Sequence, residues 1–184
     1  VLRAITRTGA ARLPMRALVL AALTISLMLG VARAAEPWKE FRSNEGGFAV
    51  SFPGTPKMTT SDPNQPGATS HSFYVNAGAS SYVVIYADYE PGTLNGKDPQ
   101  GLFDSGRDNL IKGNKVKIRV DRKFTLANHP ARKIVLEAAD GTIQIYNLYL
   151  VNDRIYEVIS GGPKGFDKSA DAKRFNDSFH FIAQ

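Results

Sequence analysis

The sequence predicts an α+β sandwich: a central antiparallel sheet of six to eight strands with helices on its faces. Three observations carry this expectation. Many segments alternate apolar and polar residues with the two-residue period of a strand. Only two segments, near residues 99–112 and 168–178, read as helices, and they lie far apart in the chain. Two strands, Ser81–Tyr89 and Thr142–Val151, are apolar on both faces, as a sheet covered on both sides requires.

Trp38-Lys39-Glu40-Phe41 alternates as a half-buried strand, and Asn44-Glu45-Gly46-Gly47 supplies turn chemistry. Phe48-Ala49-Val50-Ser51-Phe52 resumes the alternation with Phe48, Val50 and Phe52 on one face. Pro53 and Pro56 cannot donate to a ladder and end the pairing, with Lys57–Thr60 as one more short strand. Beyond a polar loop over Asp62–Gly67, Thr69–Asn76 and Ser81–Tyr89 form a hairpin. Tyr82, Val84 and Tyr86 face one way there, and Val83, Ile85 and Ala87 the other. Asp98 before Pro99 is an N-cap followed by proline in the first turn, so a helix runs from Pro99 to Lys112 and Gly113 ends it. Leu102, Phe103, Gly106 and Leu110 share its apolar stripe.

Lys115–Val120 alternates again, with Val116, Ile118 and Val120 as its apolar face. Ala131–Ala138, Thr142–Val151 and Arg154–Ser160 form a meander, with Asp140-Gly141 as a two-residue hairpin turn and Asn152-Asp153 as the next turn. Gly161–Gly165 breaks the pattern, and a helix over Lys168–Ser178 follows, capped by Asp167 or Ser169. Ala172, Phe175 and Phe179 make its apolar stripe.

Residues 1–34 read as a secretory signal peptide. Arg12 and Arg16 precede an uncharged apolar run, Ala17–Ala32, and Ala32-Arg33-Ala34 offers small residues for cleavage after Ala34. The run is shorter than the ~20 residues of a membrane span, so stable insertion after cleavage is not expected. Met15 is an alternative start to Val1. Residues 35–184 form one domain, placed in the periplasm or outside the cell. The formal net charge of +6 comes from 23 Lys and Arg against 17 Asp and Glu. Five of the arginines lie before Ala35, so the remainder carries 18 basic against 17 acidic residues. That balance argues against a nucleic-acid partner. Cysteine is absent, which excludes disulfides, thiolate catalysis and zinc–cysteine sites.

The order Trp38…Phe41, GGFAVSFPGTP (Gly46–Pro56), the Tyr82–Tyr89 strand, Asp104…Arg107-Asp108, Arg154-Ile155-Tyr156 and Phe175-Asn176-Asp177-Ser178-Phe179 resembles the PsbP-like superfamily. That superfamily includes the photosystem extrinsic subunit PsbP and an import factor that binds the Ran GTPase. The resemblance covers about residues 38–180. It implies an α/β/α sandwich and a non-enzymatic role in binding a protein partner, here in the periplasm. The photosystem and Ran functions do not carry over, because their binding residues have no counterpart in this sequence.

Chemistry-bearing patterns are sparse. Gly92–Asp98 approaches a phosphate loop, but the spacing is one residue short and Asp98 stands where Ser or Thr would hold magnesium. His71, His129 and His180 are isolated, no Gly-Xaa-Ser-Xaa-Gly occurs, and no catalytic, cofactor or metal residues are assigned. Gly161–Gly165 with Lys164 reads as a connection rather than an anion cradle. The densest basic segment holds Lys112, Lys115, Lys117, Arg119, Arg122 and Lys123. Lys115, Lys117, Arg119 and Lys123 share strand parity and form a candidate surface for an anion or partner, against the plainer reading of a charged protective edge. Asp104 and Arg107 are spaced to pair on the first helix, with Arg107 able to reach the sheet edge. Tyr86, Asp88 and Arg107 are a candidate groove. Two alternatives to a partner-binding module remain: a binder of a small or anionic ligand, and a hydrolase whose carboxylates, Asp88 and Asp104 first, converge only in three dimensions.

Overall fold

The computed structural model describes residues 37–61 and 67–183. The signal peptide expected over residues 1–34 and most of the loop expected over Asp62–Gly67 lie outside the described residues.

Among the described residues, nine strands and two helices follow the expected order, and a short tenth strand after the second helix was not expected. The chain begins with β1 (Trp38–Ser43), β2 (Phe48–Pro53), β3 (Lys57–Thr60), β4 (Ala68–Ala77) and β5 (Ser80–Tyr89). Helix α1 (Pro99–Ile111) leads to β6 (Val116–Leu126), β7 (His129–Ala138), β8 (Ile143–Val151) and β9 (Arg154–Gly162). A 3-10 turn (Phe166–Lys168), α2 (Ala170–Ser178) and β10 (His180–Phe181) complete it. Seven strands form one antiparallel sheet in the order β3-β4-β5-β9-β8-β7-β6, and a small sheet has the order β1-β2-β10.

The two-faced strands explain the layers. Tyr82, Val84 and Tyr86 of β5 join Tyr149, Tyr156 and Val158 in one core, which the small sheet and α2 close with Phe48, Val50, Phe52 and Phe175. Val83 and Ile85 join Ile134, Leu136, Leu148, Ile155 and Ile159 in a second core, closed by Phe103 of α1 and Leu94 of the preceding loop. The molecule is thus an α+β sandwich in which one cover is α1 and the other is α2 with a three-stranded sheet.

GGFAVSFPGTP anchors that small sheet. Phe48, Ala49, Val50 and Phe52 have no exposed surface. Phe48 stacks on Phe179 at 5.7 Å between ring centroids and meets Phe73 edge-on at 5.7 Å. Gly46 needs its missing side chain: a Cβ there would lie 2.7 Å from Ser43 Oγ and 2.8 Å from both Phe48 Cε1 and Tyr86 Cε1.

The helix signals are met at both helices. The Asp98 carboxylate accepts from the backbone N–H groups of Gln100 (3.1 Å) and Gly101 (2.9 Å), and Gly113 takes φ 77° after the helix. Ser169, rather than Asp167, caps α2 through the Ala172 N–H at 3.1 Å. The Phe175–Phe179 motif then ties α2 to both sheets. Asn176 donates to Ser160 Oγ (2.9 Å) and accepts from Asn147 Nδ2 (2.7 Å), while Ser178 Oγ accepts from the Ser51 N–H (2.9 Å).

Several local expectations are corrected. The Asp140-Gly141 turn is a three-residue loop. Ala138 O accepts from the Gly141 N–H at 2.9 Å, Gly141 takes φ 85°, and Ala138 pairs with Thr142 around it. Gly161 and Gly162 continue β9 instead of breaking it, pairing with Ser81, Gln144 and Ile143, and position 162 needs glycine because a Cβ there would strike the Phe166 ring. Strand β6 runs on to Leu126, and a bulge between Ile118 and Val120 reverses its parity. Val116 and Ile118 consequently face α1 while Val120 turns to the opposite side. Both Ile118 (37% exposed) and Val120 (39%) are open to solvent rather than part of a buried face.

Candidate functional site

Three polar constellations sit on this frame. The first joins α1 to the sheet edge. Arg107 Nη1 donates to Asp104 Oδ1 and to Asp121 Oδ2, both at 2.8 Å, and its Nε and Nη2 hold Asp108. Arg132 of β7, only 7% exposed in its side chain, donates through Nε and Nη2 to Asp121. It also reaches Asp104 Oδ1 (3.0 Å) and Gln100 Oε1 (3.1 Å). The hydrogen bond from Arg132 leads the lowering of the Asp121 carboxyl below its ordinary range, with Arg107 adding to it and burial opposing. The expected Asp104–Arg107 pair forms, and Arg107 reaches the sheet edge as its place beside the apolar stripe suggested. What sequence spacing could not supply was Arg132, which brings in β7.

The second constellation ties the sheet to the turn before β2. Asp88 and Arg154 face each other across β5 and β9, and the guanidinium takes the carboxylate with Nε and Nη2, the latter at 2.9 Å. Its Nη1 donates to Glu45 O at 2.9 Å, and the guanidinium carbon lies 4.7 Å from the Tyr86 ring centre. Tyr156 OH donates to Gly46 O at 2.7 Å. His71 stacks on the outer face of Tyr86 at 4.6 Å and meets Thr60 Oγ1 through Nδ1 at 3.1 Å. The Tyr86 hydroxyl is buried with no hydrogen-bond partner among the described residues, and burial, with the nearby Glu45 charge, pushes it up to about 12. Arg107 does not belong here. Tyr86 and Asp88 point toward the small sheet, whereas Arg107 rides on α1 across the large sheet, so the expected groove of Tyr86, Asp88 and Arg107 does not assemble. Arg154, 66 residues from Asp88 in sequence, is the partner that spacing could not reveal.

The third is the basic strand. Lys115 and Lys117 line a shallow open depression with Val116, Glu137, Ala138 and Ala139. Arg119 approaches Glu137 at 3.7 Å. The expected common parity fails at the bulge: Lys117 is paired with Glu137 and Lys123 with Arg132, positions on opposite faces of β7. Lys115, Lys117 and Arg119 therefore cluster apart from Lys123.

One buried acid escaped sequence reasoning. Glu157 of β9 lies between Ile85 and Leu148 in register, in the core under α1, and is 9% exposed. Loss of water pushes its carboxyl up to about 8. The signal was present, since Ile155, Glu157 and Ile159 occupy one face of a strand with apolar residues on both sides.

No protein-family model matches the chain, and no curated protein matches it in sequence. Solved structures do. Cyanobacterial PsbP from Synechocystis sp. PCC 6803 superposes with a TM-score of 0.55 at 10% identity, over 86% of this chain and 99% of that one. The fold is PsbP-like. A Pseudomonas aeruginosa protein of unknown function matches at a TM-score of 0.43 and 8% identity, over 71% of this chain and 86% of its own. A Bacteroides thetaiotaomicron protein gives 0.38 and 15%, over 79% of this chain and 49% of its own. Within the PsbP-like fold the three constellations fall at separate places: the α1 cover, the small-sheet turn and the β6 edge. Among the described residues no helix is long and apolar enough to cross a membrane, and no group of three or more His, Asp or Glu is placed to hold a metal ion.

Proposed function

We propose that this chain is an exported accessory module that binds a protein partner in the periplasm and works without catalysis. The observation that carries the reading is the way its polar side chains are spent. Asp88 is clasped by Arg154, and Asp104 by Arg107 and Arg132, so the two carboxylates first suspected of hydrolytic chemistry each fasten one element of the fold to another. The densest basic segment, Lys112–Lys123, faces solvent on and just before β6, a surface and not a cleft. The PsbP-like fold fits an accessory or interaction role at the level of architecture, and the signal-like residues 1–34 support export.

The test is affinity capture with crosslinking from periplasmic extract, using the tagged protein expressed with its leader. One stoichiometric partner is the expected result, together with a purified chain that begins at Ala35. Repeated blanks at high bait concentration, or retention of Leu18 in the isolated protein, would overturn the reading.

A further inference from the structure

The β6 edge carries an inference that rests on the partner-binding reading and gives it chemistry. Strand β6 ends the large sheet. It pairs with β7 on one side, and among the described residues its other side has no strand partner. Every residue from Lys117 to Lys123 is exposed. At Asp121 the side chain is folded inward onto Arg107 and Arg132 and is 21% exposed, so the exposed part of that residue is main chain. An open row of backbone N–H and C=O groups is a template for one more strand.

Two features separate this edge from one that is merely protected. A protective edge keeps large apolar groups away from its rim, yet Ile118 and Val120 stand open here, and the bulge sends one to each face. The charge is local as well. Lys112–Lys123 holds six basic residues and one acid, although the chain after Ala34 is nearly balanced. The single acid, Asp121, is engaged by Arg107 and Arg132. On the face toward the small sheet, Val120 is flanked by Lys117 and Arg122, with Arg119 at the bulge. On the α1 face Ile118 precedes Lys123. A second copy laid antiparallel on β6 would set these cations against one another, which disfavours self-pairing.

We infer that β6 is a docking edge for an extended acidic segment of a protein partner, added as an eighth strand, with acidic side chains on the face that carries Lys117 and Arg122, Arg119 beside them at the bulge, and apolar ones on the face that carries Ile118. Main-chain hydrogen bonds supply the attachment, and charge sets which segments are accepted.

The probe is a capped octapeptide alternating Glu and Val, with the alternating Lys–Val octapeptide as counter-probe, each titrated into the purified protein while amide hydrogen exchange is followed. Slowed exchange confined to β6 with the Glu–Val peptide alone is the expected outcome. The double variants R122E/K123E and K117E/R119E, which alter exposed side chains, should each weaken it at least about tenfold. Protection on β3 or nowhere, or equal response to both peptides, overturns the inference. Capture of β6 by phosphatidylglycerol vesicles without peptide protection also overturns it, in favour of a lipid surface. The two readings fail separately. If both double variants still capture the same partner from extract, partner binding stands and the β6 assignment falls. If β6 takes the peptide and wild type captures nothing, the edge chemistry stands and the cellular partner falls.

Discussion

Replacing Glu157 with glutamine should make the protein more stable at neutral pH and remove most of the pH dependence of its stability above pH 5. The side chain is 9% exposed in an apolar face, between Ile85 and Leu148 on the neighbouring strands, and takes part in no ion pair among the described residues. Its neighbours of titratable kind, Tyr89 and Tyr146, are raised chiefly by burial and further by the Glu157 charge. Folding therefore keeps the carboxyl protonated, up to about 8, against 4.5 for the same group in water. The folded state binds the proton more tightly than the unfolded chain does, so this group penalises folding increasingly as pH rises. The penalty is absent below about pH 4 and grows through the interval between the two values. At ~1.4 kcal/mol per unit it reaches about 3 kcal/mol at pH 7 and about 5 kcal/mol above pH 9. Glutamine keeps the shape, replaces the single O–H donor of the protonated carboxyl with an amide NH2, and has no proton to lose. Urea unfolding of wild type and E157Q from pH 4 to pH 9 tests this. The two should agree near pH 4 and diverge by roughly 3 kcal/mol at pH 7, with wild type the weaker. Parallel stability curves across that range would show that Glu157 is solvated or paired, and the reasoning would fail.

Phe48→Ala removes a ring with no exposed surface that touches Phe41, Phe73, Tyr86, Tyr156 and Phe179. It should cost about 3–5 kcal/mol in denaturant titration, and wild-type stability would mean the core face is misassigned. Asp121→Asn strips the main counter-charge from Arg132, whose side chain is 7% exposed, and should cost about 3 kcal/mol at pH 7. Because the Asp121 carboxyl is lowered on folding, that contribution is present above its ordinary value and is lost as pH falls below about 4. Wild type and D121N should therefore converge in acid; a constant gap would refute the ionic account. Tyr86→Phe and Tyr156→Phe delete the same atom from adjacent rings. Tyr156→Phe abandons the Gly46 carbonyl and should cost about 1 kcal/mol, whereas Tyr86→Phe removes a buried hydroxyl that has no partner among the described residues and should be neutral or stabilising. The reverse ranking, read from melting temperatures, would contradict the hydrogen-bond assignment.

Much of the framework was legible because it is local. Period-two alternation marked Phe48, Val50 and Phe52 and both faces of β5, and the Asp98-Pro99 pair fixed the start of α1. The Asp104–Arg107 pair followed from helical spacing alone. The rest depends on which strands become neighbours. Arg154 finds Asp88 only because β9 inserts next to β5, and Arg132 finds Asp121 only through the β6–β7 ladder. The bulge was invisible for a related reason. Lys115, Lys117, Arg119 and Lys123 all keep odd numbers, and counting by two assumes an unbroken pleat, whereas Arg119 is the extra residue that reverses it. Glu157 was hidden by its charge, since an acid in a strand is ordinarily read as the solvent side.

Both inter-element clamps use arginine, and their position on the two covers is informative. Arg107 and Arg132 secure α1 over one face, and Arg154 secures the β1–β2 turn over the other. Each cover meets the seven-stranded sheet through apolar packing, which is non-directional and leaves a helix or small sheet free to slide. A guanidinium fork fixes register because its donors match acceptors only in one arrangement. Tyr156 OH on Gly46 O and Asn176 between Asn147 and Ser160 act in the same sense on the small sheet and α2. The covers are thus pinned by directional contacts at several points, whereas the β6 edge has none on its outer side among the described residues. The interior polar groups fasten the covers to the sheet, whereas β6, like the shorter edge strand β3, keeps hydrogen-bonding capacity to offer a partner, and of the two β6 is the longer and carries the basic cluster.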